Sequence, residues 1–197
     1  MKTYRTLMIT CLLLLASQFS FSQTYSSIVS DKEIYDFLNW QTKLITESEK
    51  KLYGKNRTVI VDILPWDSAN FINMYKDIFP DREYYDLDDK YIFKTNKKLN
   101  EFFTQENKDY LFKQFTSITN AVWQKKFDSG KLVNKDNIYT PFYYYYSIPL
   151  FSKDRKYVIF QMHYYCGEQC GRGGYYIYRS AGNKQWMLVT EINTWVL

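Results

Sequence analysis

Histidine occurs once in the chain, at His163, and cysteine three times, at Cys11, Cys166 and Cys170. A zinc centre drawn from His163, Cys166 and Cys170 has no evident fourth ligand. His163 and Cys166 are also three residues apart, which points them to opposite faces of a regular strand. No G-x-S-x-G elbow marks a nucleophilic serine. No G-x-x-x-x-G-K-S/T loop is present to cradle a phosphate. Asp86-Leu87-Asp88-Asp89 starts like a calcium loop, but Lys90, Tyr91 and Lys97 stand where an acid or amide, a glycine and a glutamate are needed. There is no internal repeat and no low-complexity tract. Beyond the first residues, no apolar run is long enough to cross a bilayer. These absences remove the common metal, phosphate and serine-hydrolase signatures, and no cofactor and no metal are expected.

What is present begins with an address. Lys2 and Arg5 precede an apolar stretch, 7–16, that contains Leu12-Leu13-Leu14-Leu15, and Ser20-Phe21-Ser22 follows with small residues flanking a cleavage point. Residues 1–22 therefore read as a secretory signal peptide and 23–197 as a single α+β domain, long enough to bury a sizeable core. Cys11 lies inside the apolar stretch without the small residues of a lipoprotein site, so no lipid anchor is expected. The product is expected to be secreted or periplasmic. Formal charge is +5 for the whole chain, including Lys2 and Arg5. This mild, dispersed excess gives no footprint for nucleic acid. No membrane span is expected after cleavage.

Taken in order, Ser30-Asp31-Lys32-Glu33 is a capping box, and Ile34, Phe37, Leu38, Gln41 and Ile45 follow at helical spacing, predicting a helix from Asp31 to about Lys50. Thr58 to Leu64 is β-branched and reads as a strand stopped by Pro65. Asp67 or Ser68 starts a second helix that ends at Pro80. Tyr91-Ile92-Phe93 is a short strand candidate. Thr104 caps a helix through about Phe115. Trp123 to Asn137, polar and charged, reads as a long surface connection. Helices first and strands later predict an α+β fold with N-terminal helices packed on a C-terminal antiparallel β-meander.

That meander centres on Ser147 to Trp186, which holds Cys166, Cys170, His163 and five of the seven glycines. Tyr157 to Tyr165 is an apolar and aromatic run. The glycines of 166–174 mark a tight loop, and Tyr175 to Tyr178 resumes strand character. Alternation puts Val158, Phe160, Met162 and Tyr164 on a core face, and Tyr157, Ile159, Gln161, His163 and Tyr165 on a face partly open. With two cysteines left in an exported chain, a Cys166–Cys170 disulfide is expected. It would fix the loop's shape while adding only about 2 kcal/mol by loop-closure entropy. The spacing C-x3-C and the strand that follows argue against a thioredoxin-like site. The pattern P-L-F-S-x4-Y-x7-Y-C-G-x2-C-G-x-G-x4-Y-x7-W resembles the C-terminal signature of a group of uncharacterised secreted bacterial proteins with no assigned activity. Phe103-Thr104-Gln105-Glu106-Asn107 and Lys113-Gln114 resemble that group's upstream helix. The resemblance implies shared architecture and no chemistry.

Of twenty tyrosines, 11 fall between Tyr139 and Tyr178. Such density fills a core, lines a binding surface, or both. The leading expectation is a non-enzymatic envelope or extracellular binding module. It would use an aromatic sheet face and the glycine loop, through Tyr144, Tyr146, Gln161, His163, Arg172 and Tyr175. Its expected partner is a cell-envelope glycan or another envelope protein. A hydrolase of envelope polymer, with His163 and Glu168 or Glu191 as acid/base groups, is the second reading. A structural or partner-dependent interaction protein is the third.

Overall fold

Ser30 and Glu33 do what their spacing predicts. The Ser30 hydroxyl accepts from the Glu33 backbone N–H at 3.3 Å, and the Glu33 carboxylate accepts from the Ser30 backbone N–H at 3.3 Å. This box starts α1 (Asp31–Lys43). Thr104 likewise caps α2 (Gln105–Thr116) by accepting from the Asn107 N–H. In the computed structural model, the described residues are 24–44, 57–66, 102–119, 121–167 and 170–196. The expected signal peptide, the extension of the first helix to Lys50, the helix after Asp67, the Asp86–Asp89 turn and the Tyr91–Phe93 strand lie outside them.

Seven strands make one mixed sheet: β1 (Arg57–Ile60), β2 (Gly130–Val133), β3 (Phe142–Tyr146), β4 (Leu150–Phe151), β5 (Tyr157–Cys166), β6 (Gly171–Gly182) and β7 (Gln185–Val196). The spatial order is β2-β1-β3-β5-β6-β7, with β4 also pairing β5. β1 runs parallel to both β2 and β3; every other pairing is antiparallel.

This overturns the predicted arrangement of N-terminal helices on a C-terminal antiparallel meander. The C-terminal strands are antiparallel, but they form one part of a larger mixed sheet. The described portion is mostly β, with two short α-helices. The stretch read as a surface connection supplies much of the difference. It contains β2, and Trp123 and Phe127 are core residues, 2% and 4% exposed. β2 is only Gly-Lys-Leu-Val, too short to show an alternation and surrounded by charge. Gly130 packs closely where β2 begins: a Cβ there would lie 3.1 Å from the Phe127 side chain and 3.4 Å from Thr42, tighter than most Cβ contacts.

α1 packs on one sheet face through Ile34, Phe37, Leu38 and Trp40, against Tyr146, Val158, Phe160 and Tyr178. Phe37 meets Phe151, Phe160, Tyr178 and Trp186 edge-on. Arg57 fastens the helix end to the sheet. Its Nη1 and Nη2 donate to the carbonyls of Gln41 (3.1 Å) and Leu44 (2.8 Å), and its guanidinium lies 4.6 Å from the Tyr144 ring centroid. A cation is favoured beside the carbonyls at a helix C-terminus. On the opposite face, Leu111 of α2 joins Trp66, Phe103, Leu150, Ile159, Tyr175 and Ile177.

Two local devices shape the strands. β3 and β4 would be one strand but for Ser147-Ile148-Pro149, where Pro149 has no N–H for the ladder. Ser147 bridges the gap: its backbone N–H donates to Gln161 O at 3.0 Å, and its hydroxyl accepts from the Gln161 N–H at 2.9 Å. β6 and β7 are joined through Asn183 and Lys184, both in the left-handed region (φ 49° and 58°), as a two-residue hairpin of right-handed twist demands. Lys184 then pairs with Asp36 at 3.0 Å, and the Trp40 Nε1–H donates to Gln185 at 3.1 Å, which seats the hairpin on α1.

Candidate functional site

The sheet register divides the predicted site residues between two faces. Tyr144 pairs with Tyr164 and Tyr146 with Met162, so both project toward α1. Tyr146 is 0% exposed and its hydroxyl accepts from Arg57 at 3.2 Å. Arg172 pairs with Tyr164 and shares that side, at an open rim, where it forms an ion pair with Glu191. Gln161, His163 and Tyr175 project to the opposite face. The six residues therefore do not form one surface; these three share a side of the sheet, where Gln161 and Tyr175 are buried, 7% and 5% exposed.

The register brings two further residues to that face. Tyr145 stands beside His163 and Tyr143 beside Tyr165. Tyr143 and Tyr165 stack with ring centroids 5.1 Å apart and an interplanar angle of 18°. Tyr145 meets both edge-on, at 5.9 and 6.0 Å. All three rings are half-buried. On the other flank of β5, the cross-strand neighbours of His163 and Tyr165 are Gly173 and Gly171, which add no side chain to the face. Tyr143 and Tyr145 were not among the predicted site residues. Alternation along a strand says which residues share a face, but only inter-strand register says which face Tyr143 shares with His163.

The ionisation states follow from burial. Burial pushes the Tyr145 and Tyr165 phenols above their ordinary value, with neighbouring phenols adding to the shift, so both keep their hydrogen at neutral pH. Burial pushes His163 down from 6.5, favouring neutral imidazole. The Gln161 side-chain nitrogen lies 3.4 Å from His163 Nε2, and Gln161 itself is 7% exposed. Its Oε1 is buried without a hydrogen-bond donor. Further along, Tyr175 stacks on Trp66 at 5.8 Å, and the indole N–H is spent on the Ile148 carbonyl at 2.9 Å.

The sulfurs of Cys166 and Cys170 lie within bonding distance, with Cα atoms 4.9 Å apart. The Cys166 N–H donates to the Cys170 carbonyl at 2.8 Å, and Gly167 turns the chain at φ +125°, a conformation side chains resist. The link closes the β5–β6 hairpin immediately beyond the Tyr165–Gly171 pair.

Of the proposed acid/base partners of His163, Glu191 is not brought to it. Glu191 pairs with Tyr176, on the α1 side of the sheet, and is engaged by Arg172. Glu168 lies outside the described residues. Among the described residues, no group of three His, Cys, Asp or Glu could hold a metal, and no helix is long and apolar enough to cross a membrane. The chain matches no protein-family model, no curated protein and no solved structure. Functional argument must therefore start from its own residues.

Proposed function

We propose that the chain is an exported, non-enzymatic binding module of the cell envelope or its surroundings, and that it holds its ligand on the β3–β5 face carrying Tyr143, Tyr145, Tyr165 and His163. The leader-like residues 1–22 and the cysteine pair support export. The observation that carries the binding reading is the triple of half-buried tyrosines in mutual contact beside glycine-bearing β6. Half-buried rings present an apolar plane and a hydroxyl at once, which suits the alternating apolar and hydroxyl faces of a sugar. The disulfide supports the same reading by fixing one end of the face, since a pre-formed surface loses less entropy on binding. The ligand class is an envelope glycan, with a peptide segment of an envelope protein as the competing outcome.

A screen of the purified protein against cell-wall glycan fragments tests this. Wild type should bind at least one glycan class, and Tyr143→Ala and Tyr165→Ala should each weaken that binding several-fold, as expected from about 1 kcal/mol per aromatic contact. Tyr146→Ala, on the buried α1 side, serves as the stability control. No glycan binding, or binding indifferent to Tyr143 and Tyr165, removes the proposal.

A further inference from the structure

A cleft of about 350 Å³ opens where α2 ends, between the segment Ile63-Leu64-Pro65-Trp66 on one side and Phe115, Ile118 and Ala121 on the other. None of Tyr143, Tyr145, His163 or Tyr165 lines it. We infer that this cleft is a binding site for the hydrocarbon chain of an amphiphile, held by its tail.

Three observations lead there. The first is size: the volume lies at the small end of the range of small-ligand clefts, about 300–1,000 Å³. The second is chemistry. The wall is mostly aliphatic and aromatic, with Thr119 its one hydroxyl, and several of its polar hydrogens are spent inside the fold. Ile63 N–H donates to Ala121 O at 2.8 Å, Leu64 N–H to Tyr146 O at 2.9 Å, and the Trp66 indole N–H to Ile148 O at 2.9 Å. The Thr119 hydroxyl donates to Thr24 O at 3.0 Å. With those donors committed, a ligand is held by removal of its apolar surface from water, at about 25 cal/mol per Å², and its polar head is left to solvent.

The third observation is rigidity. The two walls are tied to each other by backbone. The Trp123 N–H donates to Val61 O at 2.8 Å, Asp62 bridges Val122, and Ser26 bridges Ile118 from behind. α2 is stopped at Thr116, where Ser117 takes the capping position and donates its N–H to the carbonyls of Lys113 and Gln114. The cleft is thus framed by main-chain hydrogen bonds, the arrangement that keeps a small-ligand pocket pre-formed.

The test uses the full chain and N-phenyl-1-naphthylamine as a fluorescent apolar probe, competed with straight-chain acids, alcohols and amines of increasing length. Saturable binding of one probe per chain is expected. Dodecanoate, dodecanol and dodecylamine should compete within about threefold of one another, because the mostly apolar wall holds the tail and not the head. Affinity should pass through an optimum of chain length. Ala121→Phe, which fills the cleft, should weaken the probe at least about tenfold. Ile118→Ala, which enlarges it, should move the optimum to longer chains, so a folding defect in either variant leaves the other to decide. Unsaturable uptake overturns the assignment. So does affinity rising with length without an optimum, discrimination among head groups beyond about tenfold, or undiminished binding in Ala121→Phe.

Discussion

The two faces of this sheet use the same side chain for opposite ends. On the α1 side, tyrosines are structural. Tyr25 and Tyr35 share a hydrogen bond of 2.7 Å between hydroxyls, and those oxygens also accept the N–H groups of Gln124 and Lys125, at 2.8 and 3.0 Å. Tyr146 is wholly buried against Phe160, its hydroxyl taken by Arg57. On the opposite side, near the disulfide, Tyr143, Tyr145 and Tyr165 pack on one another and remain half-buried. A ring that fills a core contributes through dispersion and loss of water; a ring at a rim keeps much of that capacity for something that arrives later. Tyrosine density alone therefore says little; what separates core from rim is which strand neighbours each ring.

Replacing one ring on each side breaks or sharpens the contrast most directly. Phe37→Ala removes the α1 side chain that five aromatic rings surround, and should cost about 3–5 kcal/mol, as buried aromatic truncations do. Tyr143→Ala removes a half-exposed ring and should cost no more than about 1 kcal/mol of stability. Urea denaturation of both variants measures the difference. Comparable losses would mean that the tyrosine rim is core after all, and the functional reading of that face would fall with the contrast.

A smaller effect is expected where the two faces share a backbone device. Ser147 interrupts the strand between β3 and β4, and its hydroxyl supplies the acceptor that the Gln161 N–H needs. Ser147→Ala leaves that buried N–H without a partner and should cost about 1–3 kcal/mol. Because Gln161 lies on the His163 face, the same variant should also loosen the rim. Hydrogen exchange at Gln161 and His163 would register this as faster opening. A Ser147→Ala protein of wild-type stability would show that the hydroxyl is not needed to carry the strand past Pro149.

How much of this was legible beforehand differs between the regions in an instructive way. Helix caps are local chemistry, and Ser30 and Thr104 announced α1 and α2 from four-residue patterns. Alternation along Tyr157–Tyr165 is also local, and the strand adopts it. β1 pairing in parallel with β2 joins Arg57 to Gly130 and Ile60 to Val133, contacts that no short window contains. That long-range pairing is why the helices-over-meander expectation failed. The same limit applies to the rim. Tyr144 and Tyr146 stood out as candidates and prove to be core, whereas Tyr143 and Tyr145 face His163. A shift of one residue in register exchanges the two pairs.

The smallest effect separates the faces by pH. Burial disfavours the charged imidazole, so the folded protein holds His163 with a pKa below its ordinary 6.5. Above that value both folded and unfolded chains carry neutral histidine, and the contribution to stability is constant. Between 6.5 and the lower folded pKa, the unfolded chain binds a proton that the folded chain does not, so stability falls as pH falls. On the α1 side the sign comes from carboxylates and the window is lower. Burial tends to raise the Glu33 carboxyl, but hydrogen bonds from Arg155 and Ser30 outweigh it and hold the group below 4.5. Its stabilisation is present above that value and is lost as pH drops further. Since His163 is the single histidine, the range just below pH 6.5 reports the rim, and more acidic conditions report the lowered carboxylates Glu33, Asp36 and Asp154. Denaturant midpoints across this range should decline for wild type and stay level for His163→Gln, with both declining below it. A wild-type profile as level as the variant's would mean that water reaches the imidazole freely, and that the rim lacks the low-dielectric environment on which its recognition chemistry depends.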